Sequence, residues 1–439
     1  MLLSALGCSS LLDVKNPNNV GYGDLNNPKS APSIANGALS STARAWGAML
    51  TDYATVSDEL TWIGSRDGFR ELDVGFLSNR TNEFVDAAFP FVGESRWLGD
   101  FAIHRLSQFD SAGTLGSRDD LARSYLYAAI AYLMIGDNFS NFPIASDRRD
   151  AAPPVGRDNM YQVYDTAVAY TTRGLAIAQA TGNKTLRRAL TAVRARARFA
   201  RAVWFKLYPN DAAVPHGGAF VNDPGVTADA QAALALVDTL DWRFRFNYST
   251  TTVDNTIGAW VNSRQEMRVG GAYINRSVTP ADTLRDPITN TVDPEMRRAL
   301  VEFKATASTQ FYAPLTVVSA RELYLMLAEA ALAAGDTLNA TGQFAVNINA
   351  VRALNALPSY DPANAAHPRP VDMLKYERKE SLFLQGWRLH DLYRFGDRAD
   401  MWQTVVPVAE AIQSPGTVFP ITQVELLANP YCVANPTGC

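Results

Sequence analysis

The chain reads as a mainly α protein, and three observations say so. Apolar residues recur at helical spacing over long stretches bounded by start and stop residues. Alanine fills many of the positions where such helices would touch, which lets neighbours approach closely, as in stacked helix pairs of tetratricopeptide type. Between 209 and 318 the helical period fades and Gly, Asn, Asp, Thr and Pro become frequent, so an irregular, loop-rich insertion with short strands is expected to interrupt the scaffold. No clean repeat consensus recurs, so any repeats are degenerate.

Along the chain, helices are expected over 33–54 and 94–111, with an irregular region, 55–90, between them. That region sets Trp62, Arg66, Asp67, Phe69 and Arg70 among Gly and Asp, and loops on a rigid scaffold are where binding usually resides. Residues 119–135 place Leu121, Tyr125, Ala128, Ala129 and Tyr132 on one side of a helix, and Gly136 is expected to cap it. Helices over 158–179 and 185–208 follow. The second carries Arg187, Arg188, Arg194, Arg196, Arg198 and Arg201 among Ala, Val, Phe and Trp, which predicts an ion-paired helix face rather than a polyanion site. After a helix over 228–240, WRFRFNY (242–248) alternates strictly. Trp242, Phe244, Phe246 and Tyr248 would form the core face of a strand, with Arg243 and Arg245 opposite. Ser319 and Glu322 make a capping box before RELYLMLAEAALAA, which Gly335 closes. Helices over 337–355 and 371–394 complete the series.

The last of these contains LKYERKESLFLQGWRLHDLYRFG (374–396), the most informative stretch of the chain. Residues three and four apart are neighbours on a helix, so Arg388 is expected to meet Asp391, and Asp391 to meet Arg394. Leu384, Trp387 and Leu392 lie among them. Arginine on both sides of one Asp, flanked by Trp387, Tyr393 and Phe395, predicts a charge network partly shielded from water.

The pattern Glu-Arg-x-x-Glu, then Gly-x-Arg-x-x-Asp-Leu-x-Arg-aromatic-Gly, resembles the carboxyl-terminal signature of the RagB/SusD family. Glu377, Arg378, Glu380, Gly386, Arg388, Asp391, Leu392, Arg394, Phe395 and Gly396 fall on it, while Gln385 stands where the family has Glu. Three further stretches resemble family blocks in the family's order. They are SYLYAAIAYLMIGDNFSNFPI (124–144), ELYLMLAEAALAAGD with VNINAVRALNALP (322–336 and 346–358), and PITQVELLANP (420–430). In the second, Ala328, Glu329, Ala330, Asn349 and Arg352 are in register; in the third, Thr422 replaces a Pro.

The resemblance implies a SusD-like fold, one continuous domain overall. Residues 1–8 would be a signal remnant ending in the lipidation Cys, 9–208 the amino-terminal helices, 209–318 the irregular insertion, and 319–439 the carboxyl-terminal helices and signature tail. It also implies a surface-exposed outer-membrane lipoprotein, not an enzyme. Such a protein captures an oligomeric nutrient, glycan or peptide, and passes it to a TonB-dependent (SusC-like) transporter. Glu377, Arg378, Glu380, Arg388, Asp391 and Arg394 are then expected to be structural, since paired buried charges usually fix geometry; contact with ligand is the alternative.

The segment MLLSALG before Cys8, with Ser9 and Ser10 after it, resembles a lipoprotein processing site at which Cys8 would be acylated and held at the membrane. Ala5 stands where Leu is favoured and the basic n-region is missing, so an ordinary amino-terminal Cys is the alternative. LLDVKNPNNV (11–20) resembles the family's opening after the anchor. At the oxidising exterior this implies, Cys432 and Cys439 are expected to pair, with two free thiols as the alternative.

Composition narrows the function classes. The 439 residues, 47% hydrophobic and 19% charged, suffice for a large core. A net charge of −4 offers no basic footprint for nucleic acid, and no run is long enough to span a bilayer as a helix. There is no P-loop, no G-x-S-x-G elbow and no H-E-x-x-H. His104, His216, His367 and His390 are far apart and no Cys/His metal spacing exists, so neither metal nor cofactor is expected. His390, beside Asp391, reads as a packed or capping residue. Binding a sugar or peptide needs aromatic faces rimmed by Asp, Asn and Arg, which eight Trp and 17 Tyr allow. Family relatives build the ligand surface from loops of the irregular regions, which makes Trp62, Arg66, Phe69, Trp260, Asn262, Arg264 and Tyr273 the candidates. Against each stands the general rule that large aromatics are more often core. Two rivals are a tetratricopeptide-type protein–protein scaffold and a glycan-active enzyme with paired carboxylates.

Overall fold

A computed structural model describes residues 22–147, 150–249, 251–274, 284–303 and 313–439; Cys8 and the 11–20 segment lie outside the described residues. The amino-terminal half is a run of helices: α1 (Ala31–Val56), α2 (Asp67–Asp73), α3 (Glu83–Ser111), α4 (Arg118–Asn138), α5 (Tyr161–Ala180), α6 (Lys184–Leu207) and α7 (Pro224–Leu234). Successive long helices pack on one another, α1 on α3, α3 on α4, α4 on α5, α5 on α6 and α6 on α7. Their starts are set by side-chain caps, which satisfy the first free N–H groups of a helix. Asn82 accepts from Phe84 and Val85, Ser117 from Asp119, Asn183 from Leu186, and Asp223 from Val226.

The close approach expected from small residues is present. A Cβ on Gly99 would lie 2.8 Å from that of Ala128, and one on Gly174 would lie 2.8 Å from Leu190. Gly136 corrects an expectation. Instead of capping α4 it lies inside the helix, because the Tyr164 ring packs where its Cβ would be, at 2.4 Å. Likewise α3 begins at Glu83 rather than near 94, since the Asn82 cap outweighs Pro90, which sits within the helix.

The carboxyl-terminal half adds α8 (Thr256–Gly258), α9 (Pro294–Phe303), α10 (Ala320–Ala333), α11 (Gln343–Leu354), α12 (Pro370–Ser381), α13 (Arg388–Phe395), α14 (Glu410–Gln413), α15 (Gln423–Ala428) and α16 (Pro430–Ala434). Helix α10 joins the two halves by packing on α7, α11 and α12. Among the described residues the strands are short: β1 (Leu60–Trp62), β2 (Arg243–Phe246), β3 (Met267–Val269) and β4 (Leu315–Ser319). They form two antiparallel pairs, β1 with β3 and β2 with β4. Trp242, Phe246 and Tyr248 are buried, as the alternation predicts, while a register shift at Phe244/Arg245 leaves Phe244 half-buried. The mainly α architecture with short strands is thus as expected.

Two local expectations change. Ser319 caps α10 by accepting from the Glu322 N–H at 3.2 Å, and Gly335 at φ +91° follows its end. The Glu322 carboxylate does not complete the box, because Arg196 (3.3 Å) and the Trp387 indole N–H (2.8 Å) hold it in the core. The continuous helix expected over 371–394 is two, α12 and α13, broken by Leu384 (φ +54°) and Gly386 (φ +75°). The break is held from outside: Glu59 accepts from the Leu384 N–H at 2.6 Å, and Arg196 donates to the Gln385 carbonyl at 2.8 Å.

The arginine run of α6 is an ion-paired face. Arg188 meets Asp238 (2.7 Å), Arg194 and Arg198 share Asp229 (2.6 and 2.9 Å), and Arg201 meets Asp165 (2.7 Å). At the carboxyl end Cys432 and Cys439 are joined, their Cα atoms 5.6 Å apart. No helix among the described residues is long and apolar enough to cross a membrane.

Candidate ligand-binding surface

The site begins underneath, with the tail network. Asp391 accepts from Arg378 (2.8 and 3.1 Å) and Arg394 (2.9 Å), and Glu329 pairs with Arg394 on its other side (3.0 Å). Arg352 is held by Asp286 (2.6 Å) and Glu377 (3.0 Å). These side chains are buried. Burial alone would raise the pKa of Asp391, but Arg378 and Arg394 reverse that and hold it below the usual carboxylate range. Asp391 and Arg394 therefore meet as predicted. Arg388 does not join them, because the break before α13 turns it away to a bidentate pair with Asp58, 2.9 Å for each bond.

That pair carries the network up to the loops. Asp58 sits at φ +67°, a conformation costly for a non-glycine residue, directly before Glu59 and β1. Burial pushes the pKa of Glu59 up to about 8, against the opposing Leu384 N–H and Arg388. Gly270, after β3, lies against this turn so closely that a Cβ would fall 1.8 Å from the Asp58 carbonyl oxygen. The ladder β1–β3, with Trp62 opposite Met267, thus begins at the turn that Arg388 of the signature helix holds.

Beyond the ladder, Glu266 binds the two loops together. Its carboxylate accepts from the backbone N–H groups of Ser65 (2.6 Å) and Arg66 (3.0 Å) and from the Ser65 hydroxyl (3.0 Å). Slight burial raises its pKa, but these donors lower it overall. Gly64 is required here, since a Cβ would lie 1.9 Å from that carboxylate. Trp260 and Asn262 belong to one turn of π-helix, Ala259–Ser263, a rare geometry that is frequent at functional sites. Arg264 lies over the Trp260 ring at 4.8 Å.

Trp62, Arg66, Trp260, Asn262 and Arg264, some 200 residues apart in sequence, are therefore brought to one loop pair. Arg66 and Arg264 are exposed; Trp62, Trp260 and Asn262 are half-buried. Two candidates are corrected. Phe69 is fully buried, stacked on Phe84 with centroids 3.5 Å apart and meeting the edge of Trp260 at 5.0 Å, so it props Trp260 rather than facing solvent. Tyr273 is buried against Phe383 (4.8 Å) and beneath Lys379 (4.9 Å). Glu266 and Ile63, which is 45% exposed beside Trp62, also belong to this loop pair. Nothing in the local sequence marks a carboxylate that will bind a distant loop.

No protein-family model matches the chain, and no curated protein matches it. Solved structures do resemble it. A SusD superfamily protein from Bacteroides fragilis superposes with TM-score 0.61 at 12% identity, covering 92% of this chain and 98% of that one. One from Parabacteroides distasonis gives 0.60 at 13%, covering 92% and 98%, and a SusD homolog from Bacteroides thetaiotaomicron gives 0.61 at 14%, covering 94% and 98%. The chain has the SusD-superfamily fold, in agreement with the RagB/SusD resemblance of its sequence.

Proposed function

We propose that this is a RagB/SusD-family binding protein rather than an enzyme, and that it captures an oligomeric nutrient, glycan or peptide, on the surface formed by Trp62, Arg66, Trp260, Asn262 and Arg264. It is held at the outer membrane, facing the exterior, by acyl chains on Cys8 and hands its cargo to a TonB-dependent, SusC-like transporter. The observation that carries this reading is the pairing of two sequence-distant loops by β1–β3 and Glu266. It sets two half-buried indoles beside two exposed guanidinium groups that make no hydrogen bonds among the described residues. Indole faces suit the C–H side of a sugar ring or an apolar side chain, and Arg and Asn suit hydroxyls and carboxylates. The fold shared with SusD superfamily proteins over nearly the whole chain supports the same reading.

The test is a panel of glycan and peptide oligomers titrated against the wild-type chain and against Trp62→Ala and Trp260→Ala. Each variant is expected to lose roughly five- to tenfold in affinity, about 1 kcal/mol. Unchanged affinity in both would place the ligand elsewhere.

A further inference from the structure

We infer that a cleft at the carboxyl end of α6 binds one carboxylate-bearing sugar ring, a uronic-acid unit, at a second site. None of its lining residues belongs to the Trp62–Trp260 surface, so the inference stands independently of the function proposed above. The cleft encloses about 370 Å³, within the roughly 300–1,000 Å³ usual for small-molecule sites.

One wall is aromatic. Trp204, on the last turn of α6, and Tyr208, the residue that follows the helix, are half-buried and stacked at 4.6 Å with 16° between their planes. The two rings cover one face of each other, so the stack offers an outer face to the C–H side of a pyranose. The opposite wall is the segment after α14, which reaches the end of α6 because residue 416 is glycine: at φ +93°, its Cβ would lie 2.7 Å from the Leu207 carbonyl oxygen. Gln413, the last residue of α14, and Ser414 after it are neutral groups of the lining able to meet sugar hydroxyls.

The floor is His390 of α13. It is buried, with Nδ1 3.5 Å from the Tyr53 hydroxyl, while Nε2 bonds to no described residue; the residue is part of the cleft lining. Burial lowers its pKa to about 4, against the opposing pull of Asp391, so the imidazole is neutral at pH 7 and hydrogen-bonds without adding charge. Tyr164, also on the floor, is already committed, donating to Asp137 at 3.1 Å.

Charge then selects the ligand. Glu410 is occupied, accepting from the N–H groups of Leu77 (2.8 Å) and Ser78 (2.7 Å). Asp158, next to Arg157 in the chain but not part of the lining, accepts from the Tyr208 hydroxyl. Arg80 uses one nitrogen on the Cys439 carbonyl, 3.3 Å away. The guanidinium of Arg157 makes no hydrogen bond and no ion pair among the described residues and lines the cleft mouth. The residues lining the cleft carry two cations, Arg80 and Arg157, against one carboxylate, Glu410, so their balance is cationic, next to an aromatic wall and neutral hydrogen-bonding groups. A sugar ring bearing a carboxylate answers all three.

The experiment is calorimetric titration of the full chain with D-glucuronate, D-glucose and the dipeptide Ala-Phe, which offers a carboxylate and a ring but no sugar. Glucuronate is expected to bind at least tenfold more tightly than the other two. Arg157→Gln, an exposed change that leaves the fold intact, is expected to abolish the preference over glucose. Trp204→Ala is expected to weaken both sugars at least tenfold, and Trp62→Ala to leave them unchanged. Equal binding of glucuronate and glucose, stronger binding of the dipeptide, an undiminished preference in Arg157→Gln, or no binding at all would each overturn the assignment. Loss in Trp62→Ala with Arg157→Gln unaffected would do so too, without touching the loop-surface proposal.

Discussion

The signature tail and the loop surface are made of the same residue types, arginine and tryptophan, put to opposite uses. In the tail, Arg378 and Arg394 are buried and bonded on several sides, and the Trp387 ring is buried with Arg196 over it at 4.5 Å. On the loops, Arg66 and Arg264 are exposed, and Trp260 keeps part of its surface in solvent. A buried guanidinium left without a carboxylate partner destabilises the fold. An exposed one is solvated by water and remains available to a ligand. Residue type alone therefore does not indicate a site; the state of its partners does. The two regions are also mechanically joined, since Arg388 of the tail grips Asp58 and Leu384 is capped by Glu59, both at the root of β1.

The comparison breaks first if the tail tolerates loss of a charge. Arg394→Met takes from buried Glu329 its closest cation and from Asp391 one of its two, and is expected to cost about 3–5 kcal/mol in urea-unfolding midpoint experiments. A cost under about 1 kcal/mol would mean the tail charges are not the structural element described.

A smaller effect tests the joint. The Glu59 pKa is raised from 4.5 to about 8, so its contribution to stability is complete below pH 4.5 and is lost as the pH rises through 8. Glu59→Gln keeps an acceptor for Leu384 and removes that loss. Relative to wild type it should gain roughly 2–4 kcal/mol between pH 4.5 and pH 9, read as diverging unfolding midpoints. Parallel pH profiles would show that Glu59 does not ionise against burial there.

The smallest expected effect sharpens the other side. Arg264→Ala, which removes an exposed head over Trp260, should leave stability within about 0.5 kcal/mol in the same unfolding assay. A larger loss would move Arg264 from the exposed loop surface into the structural class.

By itself the sequence determined the helical scaffold and the identity of the tail. Helical periodicity, the small residues at contacts and the local caps all act over a few residues, so α1, α5, α6 and α10 are readable from the chain, as is the Asp391–Arg394 pair. The alternation of 242–248 likewise announced its buried face. Tertiary structure decided whatever depended on a partner far along the chain. It broke the tail helix at Leu384 because Glu59 and Arg196 satisfy the freed backbone, and it redirected Arg388 to Asp58. It buried Phe69 and Tyr273 while leaving Trp62 and Trp260 half-open, by pairing β1 with β3 and anchoring Glu266 on Ser65 and Arg66. Local sequence sets the short-range terms of the free energy. Whether an aromatic ring or a guanidinium ends in solvent or in the core is set by long-range packing, and only the assembled fold contains it.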